Sequence, residues 1–156
     1  MNKLSTDMLD LLELLDTHGV QYLICGGHAV AFHGYPRLTK DIDIFVRPTK
    51  DNARRLFEAL EAFGFGNAGL EEEAFAKERA VASLGVSPNQ IDILTSIGGR
   101  SASEIDWKGI PGELDGYPVR FVVLDDLLAA KRAAGRTKDL ADLEELEAIR
   151  AMAGGE

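Results

Sequence analysis

Between Asp41 and Val46 acidic and apolar side chains alternate, Asp-Ile-Asp-Ile-Phe-Val. A period of two fits an extended strand with one face buried. Asp41 and Asp43 then leave the strand on one face, while Ile42 and Ile44 turn into a core. Two carboxylates side by side on a mostly apolar strand repel each other and resist burial. Hard divalent cations such as Mg²⁺ relieve that repulsion through oxygen ligands and leave coordination room for phosphate. A third acid, Asp92, stands in an equivalent setting, Ile91-Asp92-Ile93-Leu94. If its strand lies beside the first, the acids form a triad. Two of them then bind metal, and the third binds metal or accepts a proton from an attacking hydroxyl. The competing reading is solvent-facing acids on half-exposed strands.

Upstream, Val20 to Cys25 reads as a strand that is broken by Gly26-Gly27. His28 to His33 resumes helical spacing until Gly34 and Pro36 end it. Glycines at such a turn let backbone N–H groups approach a phosphate, and a helix N-terminus favours negative charge. A tight structural turn would use the same two residues, and the signal becomes specific only together with the Asp-Ile-Asp-Ile strand. Cys25 reads as a small core residue and His33 as structural. His28 reads as capping or packed, with contact to a phosphate or acceptor as the alternative.

The rest of the chain supplies a frame for these residues. Helical spacing marks Leu4 to Leu15, capped by Ser5 or Thr6, and Asp51 to Phe63, with Leu56, Phe57, Leu60 and Phe63 inward. Ala80 to Val86 and Gln90 to Leu94 read as antiparallel strands around a Pro88-Asn89 turn, and Gly66 to Glu73 is undetermined. Gly98 to Gly116 is loop-rich, with a short helical turn and one hairpin arm, and Val119 to Val123 is a strand. Leu124 to Ala134 is a helix capped by Asp125 or Asp126. Thr137 to Met152 is another, capped by Thr137, with Leu140, Leu143, Leu146 and Ile149 inward. Strands in hairpins among helices predict a small α+β domain. With no repeat or linker, residues 1–156 are expected to form a single domain. The lone cysteine excludes an internal disulfide framework and suits a reducing cytoplasm. No signal peptide or membrane-spanning stretch is expected. A formal net charge of -9 disfavours long-range attraction to nucleic acid. Only the basic stretch near the C-terminus could override it locally.

Strand, Gly-Gly, helix, then Arg37-Leu38-Thr39-Lys40-Asp41-Ile42-Asp43-Ile44 resembles the signature of the polymerase-beta-type nucleotidyltransferase superfamily. The Ile-Asp-Ile acid and the segment from Lys131 through Arg136, Lys138 and Asp139 to Leu143 extend the match. The pattern is most like the small bacterial AbiEii-like nucleotidyltransferases, which are toxin-related, and is similar to the lincosamide and aminoglycoside nucleotidyltransferases. The resemblance implies a small mixed β-sheet with helices packed on it and two C-terminal helices. It implies that Asp41 and Asp43 ligate two Mg²⁺ (or Mn²⁺) ions bridging an NTP, with Asp92 as a third metal-binding or proton-accepting acid. Gly26, Gly27 and His28 would form the phosphate turn, and Lys131 the phosphate-binding cation. Arg37, Arg136 and Lys138 would be secondary nucleotide contacts, and Asp139 would orient the base or the lysine. One departure is His28, where the superfamily commonly carries a Ser or Thr hydroxyl; the antibiotic-modifying relatives lack that hydroxyl too.

The basic cluster also has a plain reading, because Lys131 and Arg132 near a helix C-terminus oppose its dipole, and Asp139 and Asp142 in a first turn favour it. Arg37 would equally serve as a surface residue, and Trp107 and Tyr117 as packed aromatics rather than base-stacking ones. The expected chemistry is transfer of NMP from an NTP to an acceptor hydroxyl on tRNA, protein or a small molecule. A toxin–antitoxin role and an antitoxin or other partner protein would follow only from the family resemblance. The alternatives are a non-catalytic nucleotide-binding or protein-interaction module and a metal-dependent hydrolase.

Overall fold

The structure, a computed structural model, describes residues 4–39, 41–65, 70–86 and 89–154. Short apolar runs become the strands β1 (Tyr22–Cys25), β2 (Ile42–Val46), β3 (Val81–Leu84), β4 (Ile91–Leu94), β5 (Ile110–Leu114) and β6 (Tyr117–Phe121). They form one mixed sheet in the order β3-β4-β2-β1-β6-β5. The pairs β1/β2, β3/β4 and β5/β6 are antiparallel, whereas β2/β4 and β1/β6 are parallel. A parallel neighbour needs a crossover. Helix α3 (Lys50–Phe63) lies in the connection that carries the chain from β2 to the β3–β4 hairpin. This is the expected α+β arrangement, a small mixed sheet with helices packed on it and two C-terminal helices.

Four further helices are α1 (Thr6–Thr17), α2 (Gly26–Phe32), α4 (Leu124–Ala134) and α5 (Thr137–Gly154). The hydroxyl of Ser5 accepts the Met8 N–H at 3.2 Å at the start of α1, and Thr49 accepts the Asn52 N–H at 3.1 Å at the start of α3. Met8, Leu11, Leu12 and Leu15 of α1 join Leu56 and Leu60 of α3 and Ile42 and Ile44 of β2 in one buried cluster. The Ile-facing side of the acidic strand is thus in the core, as its alternation predicts. A short 3-10 helix at Glu72–Ala76 turns Phe75 inward against Phe57, with ring centroids 5.7 Å apart. The expected turn at Pro88 falls outside the described residues.

Two local expectations fail. Val123 takes the N-cap position before α4 and makes no side-chain cap hydrogen bond. Asp126 is instead buried, accepting Arg100 Nη1 at 2.5 Å and the Asp106 N–H at 3.0 Å. On α5 only Leu146 of the predicted apolar face is fully buried, and Leu140 is 48% exposed. Asp139 and Asp142 go inward in its place, because cations from other elements meet them there. Among the described residues no helix is long and apolar enough to cross a membrane.

Asn52 holds the start of β1 to the end of β2. Its Oδ1 accepts the Gln21 N–H at 2.7 Å, and its Nδ2 donates to the carbonyls of Gln21 and Arg47, both at 2.9 Å. Buried backbone groups left without these partners carry a full desolvation penalty. Asn52→Ala should therefore lower unfolding stability by about 2–4 kcal/mol in urea titrations, with the far-UV spectrum retained.

Candidate functional site

The parallel register of β2 and β4 puts Asp43 directly opposite Asp92. The same row continues to Ser83 on β3 and Cys25 on β1. In-register residues share a face, so the two carboxylates point the same way from neighbouring strands and a hydrogen bond joins them. Asp41 stands just before β2 and accepts the Gln90 N–H on Oδ1 at 2.9 Å. Asp92 accepts two donors on Oδ1: Ser83 Oγ at 2.6 Å and Gln90 Nε2 at 2.8 Å.

Gly26 closes this cluster from the β1 side. A Cβ built on it would lie 1.9 Å from Asp43 Oδ2, and its φ of +69° is left-handed. Only glycine allows both the turn and the carboxylate lying over it. The expected opening for a phosphate above this glycine is thus partly taken by Asp43. At Gly27 a Cβ would meet Thr39 at 3.2 Å, so the turn also packs against the segment leading into β2.

Burial raises the Asp43 carboxyl to about pH 6 in its proton equilibrium, the Asp92 charge and hydrogen bond and the Asp41 charge add to this, and Lys131 opposes it. The proton held there offsets the repulsion between carboxylates. A hard divalent cation taking the proton's place would offset the same repulsion with the same oxygens, so the chemistry of the donor set fits Mg²⁺ or Mn²⁺. Among the described residues, no group of three or more His, Cys, Asp or Glu side chains converges as a ready metal cage. The oxygens available to such a cation are those of Asp43 and of Asp41 and Asp92 beside it.

A cavity of about 420 Å³ opens over these acids, lined also by Gly26, Gly27, Arg37, Thr39, Lys131, Arg136 and Lys138. Lys131 reaches it from α4 while paired with Asp142 at 3.1 Å and Asp139 at 3.4 Å. Arg37, from the segment before β2, also pairs with Asp142, and Arg136 binds Asp139 at 2.6 Å. Burial would raise the Asp139 carboxyl, but Arg136 and Lys131 hold it below the usual range. An adjoining recess of about 230 Å³ shares Gly26, Asp43, Lys131 and Arg136. Its remaining wall is largely apolar: Leu94, Ile97, Leu127, Ala130 and Ala134.

Asp41, Asp43, Asp92, Gly26, Gly27, Arg37, Lys131, Arg136 and Lys138 therefore border one cavity, and Asp139 borders the recess. His28 does not line either space. It is buried, its charged form is disfavoured by burial despite a hydrogen bond to the Asp41 backbone, and its Nε2 has no partner among the described residues. His33 Nε2 lies 2.8 Å from the Val122 carbonyl, a packing role. Cys25 is buried, and its thiol donates to the Asp43 carbonyl at 3.6 Å. Trp107 packs on Phe45 with centroids 4.6 Å apart and donates Nε1–H to the Ala102 carbonyl; Tyr117 binds Asp16. A groove of about 400 Å³ beside Tyr22 and Trp107 lies at the opposite end of β1 from these acids. Sequence reasoning missed Gln90, Ser83 and the inward role of Asp142. Polar residues flanking an acid in a hairpin carry no signal until the strand register is known.

No protein-family model matches the chain, and no curated protein matches its sequence. Its fold is similar to that of the antibiotic-resistance factor ANT(2″)-Ia. The solution structure of that protein aligns with a TM-score of 0.55 at 16% identity, over 96% of this chain and 90% of that one. The crystal structure of ANT(2″)-Ia in complex with adenylyl-2″-tobramycin aligns with a TM-score of 0.54 at 17% identity, over 93% of each chain.

The raised Asp43 carboxyl has a thermodynamic consequence. Between about pH 4 and 6 the folded state keeps a proton that the unfolded chain has released, so stability falls as pH rises through this window. Asp43→Asn, a neutral isostere, should match wild type near pH 4.5 in chelator. At pH 7 it should exceed wild type by on the order of 1–2 kcal/mol, read by thermal unfolding across pH.

Proposed function

We propose that this chain is a metal-dependent nucleotidyltransferase that moves NMP from an NTP to an acceptor hydroxyl. The observation that carries the reading is the Asp43–Asp92 pair lining a cavity that Lys131, Arg37 and Arg136 also line. A polar cavity walled by cations suits a triphosphate, and the apolar recess beside it has the room and lining that a nucleobase needs. Residues 1–156 are taken as a single nucleotidyltransferase domain.

In this reading Asp41 and Asp43 would hold two divalent ions, with Asp92 beside them. Such ions neutralise charge on the transferring phosphoryl group and on the leaving pyrophosphate. Lys131 draws the phosphates toward α4, and Arg136 and Lys138 line their approach. As the acceptor oxygen bonds the α-phosphorus, its proton passes to Asp92. The α–β bridging P–O bond breaks, and pyrophosphate leaves with that electron pair.

The acceptor class favoured is a small molecule. ANT(2″)-Ia, which shares the fold, is seen in complex with adenylyl-2″-tobramycin. A chain of net charge -9 also attracts a cationic small acceptor and repels RNA. The AbiEii-like resemblance keeps tRNA and protein hydroxyls in the test panel, and neither a toxin role nor an antitoxin gains support from the fold comparison.

The test is pyrophosphate release from each NTP with Mg²⁺ against a panel of aminoglycosides, total RNA and protein. Wild type should release pyrophosphate with at least one acceptor. Asp41→Ala and Asp43→Asn should lower that rate by roughly 100- to 1,000-fold. An NTP-dependent rise in thermal midpoint with no pyrophosphate across the panel would favour a non-catalytic nucleotide-binding module. NMP appearing without any acceptor product would favour a hydrolase.

A further inference from the structure

Asp92 is held more tightly than a strand acid needs to be. A carboxylate oxygen has two lone pairs. Ser83 Oγ at 2.6 Å and Gln90 Nε2 at 2.8 Å use both on Oδ1. The other oxygen is left for Asp43 and for an incoming proton. The donors come from different places: Ser83 sits across the β3–β4 pair from Asp92, and Gln90 immediately precedes β4. Gln90 also anchors the neighbouring acid and strand. Its N–H binds Asp41 Oδ1 at 2.9 Å, and its carbonyl accepts the Ile42 N–H at 3.0 Å. One residue therefore ties Asp41 and the start of β2 to β4 through its backbone and orients Asp92 through its side chain.

Neither Ser83 nor Gln90 lines the cavity over the acids. Any effect they have on turnover must pass through Asp92. Without them the repulsion from Asp43 and Asp41 would turn the Asp92 carboxylate about its last torsion, away from the position where it meets an acceptor hydroxyl.

We infer that Ser83 and Gln90 are positioning residues for nucleotidyl transfer, pinning one oxygen of Asp92 so that the other faces the acceptor. The inference rests on the transfer reading and assigns these two side chains to the acceptor step rather than to nucleotide binding. As the acceptor O–H attacks the α-phosphorus and pyrophosphate departs, the acceptor proton goes to the unpinned oxygen. The hairpin donors remain bound to its partner oxygen throughout.

The experiment compares wild type, Ser83→Ala/Gln90→Ala, Ser83→Thr and Asp92→Asn. Pyrophosphate release from MgATP is followed with tobramycin, and with whichever acceptor of the panel supports the fastest wild-type release. The backbone bonds of Gln90 survive in the double variant, so its thermal midpoint should stay within a few degrees of wild type. Its kcat should fall roughly 10- to 100-fold while KM for MgATP stays within about threefold. Ser83→Thr, which keeps the hydroxyl, should retain most of the wild-type kcat, and Asp92→Asn should lose at least as much as the double variant. Active wild type with an unchanged kcat in the double variant overturns this inference alone. So does a loss confined to KM, or a lowered midpoint with normal kcat per folded molecule. Wild type that releases no pyrophosphate with any acceptor overturns the transfer reading, and the inference with it.

Discussion

Everything about the site follows from two carboxylates being made neighbours by strand register. Because β2 and β4 run parallel with Asp43 opposite Asp92, like charges meet in a half-buried setting where water screens them poorly. The surroundings answer that repulsion piece by piece. Asp43 holds a proton more tightly than an ordinary carboxyl, Lys131 approaches from α4, and Ser83 and Gln90 donate to Asp92. Gly26 has no Cβ, so the Asp43 carboxylate can lie over the turn instead of being pushed further into its neighbour. A chain that needed only a stable sheet would place apolar residues in this row, as it does with Ile42 and Ile91 one step away.

The cationic side of the cavity has the opposite character, since its charges are already matched. Lys131 lies between Asp139 and Asp142, whose side chains are 1% and 5% exposed, and Arg37 and Arg136 complete the network. Breaking one member would leave a buried charge uncompensated, which is more costly than the pair is worth in isolation. The network also joins α4, α5 and the segment before β2 by ionic contacts where an apolar stripe was expected. A triphosphate bound in this cavity would share Lys131 with those carboxylates, so its affinity would reflect a redistribution of contacts rather than a simple gain.

Much of the fold was legible because burial imposes a period. The alternation in Asp41–Val46 and the spacing of Leu11, Leu12 and Leu15 each report which face is inward, and the structure agrees. The acids, the glycine turn and Lys131 were legible as candidates because acids amid isoleucines contradict the apolar pattern around them. What the sequence hid was long-range. Leu140 and Asp139 occupy adjacent positions on α5, and local patterning turns the leucine inward. Only the arrival of Lys131 and Arg136 explains why the aspartate goes in and the leucine stays 48% exposed. Asp126 was misread as a cap for the same reason, its partner Arg100 lying far back in the chain. Gln90 and Ser83 were silent because a glutamine and a serine beside an acid fit any exposed hairpin.

The β3–β4 hairpin carries a consequence of a different kind. Strand side chains alternate, so the pairing of Ser83, Asp92 and Asp43 in one row exists at a single alignment of the hairpin. A one-residue slip of β4 would carry Asp92 to the far face of the sheet and bring Ile91 or Ile93 beside Asp43. The connection that precedes β4 is therefore constrained in its length: adding or removing one residue would invert which face of the sheet is polar.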